Sequence, residues 1–289
     1  MTTEQLNWEW LESTTRELNN IRYALDKSAI VAEKVLKHYF KEIRIKGLVS
    51  PQVIIERRPS FTRAVRALLC YAERTKASMI LVGTHAKKGI SRFFLGSFAE
   101  TLLLHSNIPI LVVGPRSKVS HPERKISKIL FSTDFGPTSY SAFKKVLELA
   151  RSHDSKITIF HCLPHPVEPL FQSGVYLMGG GFITFPDFIT QNERRKRKLA
   201  ERYVKVGKKL GISVELVFDS GHGNVSEAIV NQAVIQKCSL VAMAAESGAI
   251  KTALIGSITR QVVRSAPCPV WVLKLVPLSG LDLENFIQR

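Results

Sequence analysis

What this sequence has little of narrows its reading first. Cysteine is scarce: Cys70, Cys162, Cys238 and Cys268 are scattered, without a C-x-x-C pair or regular spacing. That pattern argues against a disulfide framework or a thiolate metal cluster and is read as reduced, mostly buried thiols of a cytoplasmic protein. No apolar run reaches membrane-spanning length, and no contact with a membrane is expected. The opening MTTEQLNWEWLESTTREL lacks a basic region followed by an apolar core, so a secretory leader is not expected either. The histidines show no metal-ligand spacing and no H-E-x-x-H. No G-x-S-x-G elbow organises a nucleophile, and no glycine loop runs into the Lys-Ser/Thr of a Walker A motif. With these carriers of chemistry absent, the reading is a protein that is not an enzyme.

Acidic residues are also in short supply. Lys and Arg number 41 against 24 Asp and Glu, a net charge of +17, which permits attraction to nucleic acid, anionic lipid or acidic partners. Much of the excess is local. Arg194-Arg195-Lys196-Arg197-Lys198 falls in a helical pattern whose apolar positions Leu199, Tyr203, Val206 and Leu210 supply a buried stripe. A solvated helix face is preferred over a nucleic-acid site there, because no aromatic stacking platform or DNA-binding pattern accompanies the charge.

What is present is organised around Leu81–Ser97, LVGTHAKKGISRFFLGS. The apolar run Ser78–Val82 ends at Gly83, a basic loop follows, and a helix is read from Gly96-Ser97 through Leu104. A strand, loop and helix in that order aim backbone N–H groups and a positive helix dipole at one spot, which suits a phosphate. Glycine also allows positive φ and close approach of a ligand. A structural alternative stays open: Ser97-Phe98-Ala99-Glu100 fits a capping box, and Gly83 and Gly96 fit turns.

The stretch has a partner one domain length downstream. Ser239–Ser247 again leads through a loop to Gly256-Ser257 and a helix, and Ser97 to Pro109 matches Ser257 to Pro269 residue for residue. Each proline opens a short strand, Ile110–Val113 and Val270–Leu273. Upstream, Ala72–Ser78 is matched by Ala233–Ser239. A chain of 289 residues can bury one large core or two modest ones, and this duplication selects two.

On these residues both halves resemble universal stress protein domains in tandem. The family's phosphate loop reads Gly-x2-Gly-x9-Gly-Ser/Thr. The first copy has Gly83, Ala86 at the second glycine's position, then Gly96 and Ser97. The second has Ala244 and Ser247 for the first two glycines, a loop one residue shorter, and Gly256 and Ser257. Ile129–Gly136 matches the family's first strand and its terminal acid, Asp134. The resemblance covers roughly Pro51 to Leu275. It implies an α/β fold of two Rossmann-like (adenine nucleotide alpha hydrolase-like) domains, each on a parallel sheet of order 3-2-1-4-5, with ligands at the switch point.

The implied division is a partial domain over residues 1–118, a complete but motif-degenerate domain over 123–276 and a tail from 277. Residues before about 24 read as a linker or short helix. Ala32–Ile43 has helical spacing, Gln52–Ile55 reads as a strand and Phe61–Thr75 as a helix. Nothing resembles the family's first two strands in the first half. Either the coding start lies too late, which is preferred, or a partial domain leans on its partner, since removing two central strands leaves backbone unpaired. After a linker, Gly114–Lys125, the second half supplies strand Ile126–Ser132, helix Thr138–His153 (inner face Ala142, Val146, Leu149, Ala150) and strand Ile157–Phe160. An excursion from Pro164 to about Pro186 contains Gly179-Gly180-Gly181 and is read equally as lid, partner surface or disorder. The basic helix, strand Ser213–Val217 and helix Val225–Gln236 complete it.

By resemblance, the function is stress response through binding, with ATP and Mg as candidate cofactors. Site candidates are Gly83, Ala86, Gly96, Ser97, Asp134, Gly256 and Ser257. Asp134 is open between ligand contact and a helix N-cap, a role Thr138 could also fill. Lys87, Lys88 and Arg92 favour an anion in the first loop. Ala244, Ser247 and Glu246 disfavour a triphosphate in the second. His85 reads as a solvated loop residue. Any ATP turnover would be slow and incidental, since no metal or catalytic-base arrangement is visible. Self-association through the fifth strands, within the chain as a pseudo-dimer or between chains, is implied. The alternative function is a ligand-free scaffold whose basic surface recruits an acidic partner or nucleic acid.

Overall fold

A computed structural model of the chain describes residues 30–34, 54, 60–84, 96–114, 116–117, 126–136, 138–163, 175–176, 182–183, 185–219, 224–245 and 256–274. Of the helix expected over Ala32–Ile43, the described part, up to residue 34, is helical. The strand expected at Gln52–Ile55 (Ile54 apart), most of the linker and the tail fall outside those residues.

The first half supplies α1 (Phe61–Arg74), β1 (Ile80–Gly83), α2 (Ser97–His105) and β2 (Ile110–Val113). The second supplies β3 (Lys128–Ser132), α3 (Ser139–His153) and β4 (Lys156–Cys162). There follow β5 (Val175–Tyr176), β6 (Phe182–Ile183), α4 (Phe185–Lys209), β7 (Val214–Asp219), α5 (Val225–Ile235), β8 (Leu240–Ala245), α6 (Ser257–Ser265) and β9 (Val270–Lys274). Within the long excursion, β5 and β6 pair antiparallel. The excursion ends in helix at Phe185, about where expected, with Pro186 second in α4, where a missing N–H is tolerated.

The remaining strands form one seven-stranded sheet in the order β1-β2-β9-β8-β3-β4-β7. From β7 to β9 all neighbours are parallel, and that run is the 3-2-1-4-5 order expected of the second half. In the first half β1 and β2 are parallel to each other, as its fourth and fifth strands. The two halves of the sheet join where β2 and β9 pair antiparallel, Ile110 facing Val272, Leu111 facing Trp271 and Val112 facing Val270. Leu111 stands two residues after Pro109 and Trp271 two after Pro269. The central pair therefore consists of equivalent residues of the two copies, which is the register of a two-fold axis through the sheet. The expected fifth-strand contact is made within the chain.

Strand alternation divides the core between two faces. Val82, Val112, Leu130, Val241, Val270 and Val272 point to the face covered by α1, α2, α5 and α6. Ile129, Phe131, Ile159, Ala242 and Trp271 point to the other, beneath α3 and α4. Leu102, Phe131 and Phe143 are wholly buried, each worth about 1.5–3 kcal/mol relative to exposure. On α3 the inner face is Ala142, Phe143, Val146, Leu147 and Ala150, with Leu149 half-buried.

The stripe on α4 differs from the expected one. Ala200, Tyr203 and Gly207 are buried and Leu199 and Val206 half-buried, whereas Leu210 is 46% exposed. The helix stops at Lys209 and the chain reverses at Gly211 (φ +71), which carries Leu210 off the stripe.

The duplication extends to backbone detail. Lys76 (φ 52) and Lys237 (φ 51) both take the left-handed conformation one residue after their helix C-caps. The next N–H in each reaches back to the helix, Ala77 to the Ala72 carbonyl and Cys238 to the Ala233 carbonyl. These are paired Schellman endings at equivalent positions.

Candidate functional site

The first site is built where β1 gives way to α2. Gly83, the last residue of β1, faces Val113. The next residue keeps the chain in the sheet, the Thr84 N–H donating to the Val113 carbonyl at 3.0 Å. Gly96 then occupies the N-cap of α2 and Ser97 is its first residue. Gly83 thus closes the strand, and Gly96 and Ser97 open the helix that follows it in the chain. Ala86 lies outside the described residues, as do His85, Lys87, Lys88 and Arg92.

Two expectations change here. The capping box does not form, because Gly96 rather than Ser97 is the N-cap and no side chain caps the helix. Glu100 turns instead to the second half, its Oε1 lying 2.9 Å from Arg264 Nη2 and 3.7 Å from Arg260 Nε. A guanidinium competes well with a neutral backbone N–H for a carboxylate. Nor do the helix-heading glycines use positive φ: Gly96 has φ −55 and Gly256 φ −51, open to any residue. A Cβ on Gly256 would meet nothing within 4 Å. There the absent side chain leaves the ground before the helix bare.

In the second half, Asp134 follows β3 by two residues and remains exposed. Its Oδ1 accepts from the Gly136 N–H at 2.8 Å and from the Ser139 hydroxyl at 3.1 Å. It therefore braces the turn into α3, while Thr138 holds the N-cap position without a side-chain capping bond. Gly256 is the N-cap of α6 and Ser257 its first residue. Because β3 and β8 are parallel neighbours, with Ser132 facing Met243, Asp134, Gly256 and Ser257 lie toward one edge of the sheet. Antiparallel pairing of β2 with β9 sends Gly83, Gly96 and Ser97 to the opposite edge. The site residues sort into two separate groups.

Beside Asp134 the structure gathers side chains that the sequence did not mark as site candidates. Phe135 has φ 60, a strained conformation for a bulky residue that costs on the order of 1–3 kcal/mol. Its N–H donates to Thr133 Oγ1 at 2.9 Å. Its ring lies 5.2 Å from His161, 5.4 Å edge-on to Tyr203 and 6.3 Å from Phe218. Arg197 sits 4.4 Å above Phe218. His161 Nδ1 is 2.7 Å from the Thr133 carbonyl. A carbonyl only accepts, so Nδ1 carries the proton. The buried Nε2 has no hydrogen-bond partner among the described residues. Burial lowers the His161 pKa below 6.5; the Thr133 carbonyl opposes this, Lys196 adds to it, and Asp134 and Glu193 oppose it. Burial pushes the Tyr203 hydroxyl up, with Tyr140 and Asp134 adding to the shift. The available signal was the position of Phe135 beside Asp134 and of His161 near a strand's C-terminal end.

Among the described residues no group of three or more His, Cys, Asp or Glu could hold a metal ion, and no helix is long and apolar enough to cross a membrane. All four cysteines are free, Cys238 and Cys268 buried, Cys162 half-buried and Cys70 exposed.

A 3-2-1-4-5 sheet whose fourth strand leads to a glycine-headed helix, met by a second copy across a two-fold edge, defines a tandem Rossmann-like protein. The sequence profile of the Universal stress protein family matches residues 19–114 and 125–274, and the chain belongs to that family. A universal stress protein of Methanocaldococcus jannaschii is 44% identical over 43 residues, 15% of this chain and 25% of that relative's length. The crystal structure of a universal stress protein from Archaeoglobus fulgidus has the same fold, with 18% identity over 88% of this chain and 80% of that one and a TM-score of 0.60. Another from Archaeoglobus fulgidus was solved in complex with dAMP, at 18% identity over 52% of this chain and 100% of that one (TM-score 0.36). That ligand is a property of that protein.

Proposed function

We propose that this universal stress protein acts in stress response by binding rather than catalysis, and that ATP with Mg²⁺ is held at the first-half loop between Gly83 and Ser97. The geometry of α2 carries the reading. Its first turn opens on a glycine, no side chain caps it, and its one acidic residue, Glu100, is drawn to Arg264 and Arg260. First-turn N–H groups and the helix dipole are left to face an anion, with the nearby negative charge compensated. Lys87, Lys88 and Arg92 add positive potential by sequence. A ligand that binds only the folded loop stabilises it in proportion to occupancy, by about 2.7 kcal/mol at a hundred times Kd. A cytoplasmic setting is part of this proposal.

The test is calorimetric titration of the chain with ATP and Mg²⁺, beside Gly96→Asp. Aspartate is a good N-cap and fits the backbone there, so the helix should hold while a carboxylate takes the phosphate's place. Saturable binding by the native chain, lost in Gly96→Asp, is expected; equal binding by both, or none by the native chain, overturns the assignment. A second reading rests on α4, where Arg194, Arg195, Arg197, Lys198, Lys205, Lys208 and Lys209 are exposed. That face fits a scaffold that recruits an acidic partner or nucleic acid. Nucleic-acid binding would weaken steeply between low and moderate salt.

A further inference from the structure

The join between the halves is symmetric in its backbone and asymmetric in its side chains. Glu100 stands three residues after Ser97 and Arg260 three after Ser257, so they occupy equivalent positions in the two copies. They nevertheless face each other across the pseudo-two-fold, Glu100 Oε1 lying 3.7 Å from Arg260 Nε. The shorter contact, 2.9 Å to Arg264, comes from one helical turn further along α6. Its equivalent on α2 is Leu104. All three charged side chains are only partly exposed, at 25–37% of their surface. On the opposite face of the sheet, Leu111 meets Trp271 at the axis, again unlike residues from equivalent positions.

We propose that Glu100, Arg260 and Arg264 select the partner of each fifth strand, so that the second half accepts only a half bearing an acidic residue at this position. A second half pairing with its own copy would bring Arg260 against Arg260 and Arg264, four guanidinium groups with no carboxylate. A first half pairing with its own copy would oppose two copies of Glu100 at the axis. Like charges held this close and partly shielded from solvent repel, and their desolvation goes uncompensated. The same edge carries matched backbone bonds in any of these pairings, because the register is symmetric. Charge therefore decides what hydrogen bonding leaves open. The β2–β9 edge closes within the chain, and two chains do not meet through it.

Three full-length variants test this: Glu100→Arg, the pair Arg260→Glu with Arg264→Glu, and all three reversals together. The first two each confront like charges and should unfold at lower urea than the native chain. The triple reversal should regain most of the lost midpoint and sediment as a single chain of 32.4 kDa. Refolding the first two together makes each first half complementary to the other chain's second half. The mixture should yield species of at least twice the single-chain mass that neither variant forms alone. If either mismatched variant cannot be refolded alone, the triple reversal and the mixture still report. A triple reversal no more stable than the mismatched chains, or a mixture that stays at single-chain mass, overturns the proposal.

Discussion

Replacing Gly207 with alanine tests how α4 is seated on β7, and the structure sets the size of the effect. A Cβ at Gly207 would lie 2.2 Å from Val214 Cγ2 and 3.3 Å from Val214 Cβ, where ordinary contact begins at 3.4 Å. The first atom it meets belongs to a β-branched side chain with stiff χ1, buried at the start of β7. Relief requires either turning Val214 off its rotamer or lifting the last turn of α4, and overpacking of this kind costs about 1–3 kcal/mol. Alanine's better helix propensity returns at most about 1 kcal/mol, less near a helix end. Gly207→Ala should therefore be about 1–2 kcal/mol less stable, read from the urea midpoint at unchanged slope. Val214→Ala removes the obstructing methyls and leaves a small cavity, a loss of about 1.5–3 kcal/mol. In the double variant the new methyl enters that space, so the two losses should fall short of their sum by about 1 kcal/mol or more. Additive losses, or a Gly207→Ala chain as stable as the native one, would refute the argument that this glycine exists to let β7 approach.

His161 gives a pH signature. Its folded pKa lies below 6.5, so the unfolded chain binds the proton more readily; stability should hold above pH 6.5 and fall as pH drops from there toward the folded pKa. His161→Gln should show a shallower fall in urea midpoint between pH 7.5 and 5.5 than the native chain, and parallel profiles would contradict the shift. At α5, Asn224 Oδ1 accepts from the Ser226 N–H at 2.9 Å and from its hydroxyl at 2.7 Å. Asn224→Ala should cost about 1 kcal/mol in chemical denaturation, whereas no measurable loss would mean the cap contributes nothing.

The sequence by itself determined the elements and their repetition. Hydrophobic periodicity located α1, β1, α2, β2, β3, α3, β4, β7, α5, β8 and β9 to within a few residues. Each is short and patterned by its own neighbours, so local physics suffices. Equal spacing from Ser97 to Pro109 and from Ser257 to Pro269 exposed the duplication, and with it the family. The β5–β6 pair was missed because a two-residue strand carries too little pattern. Leu210 continues the helical spacing in sequence but lies past the helix end at Lys209, in the turn with Gly211, which no pattern of apolar residues marks.

Tertiary structure alone decided what depends on residues far apart in the chain. The capping box at Ser97 is locally plausible, yet Glu100 leaves it for two arginines more than a domain away in sequence. Equivalent positions become opposed across the β2–β9 axis only after both halves fold, which turns a Glu-to-Arg difference between copies into a contact. Pairing direction, too, is invisible in either half. It sends Gly83, Gly96 and Ser97 to one edge of the sheet and Asp134, Gly256 and Ser257 to the other, so residues that share a motif across the repeat lie on opposite edges. His161 and Phe135 meet because adjacent parallel strands end side by side, and no spacing within one strand encodes its neighbour.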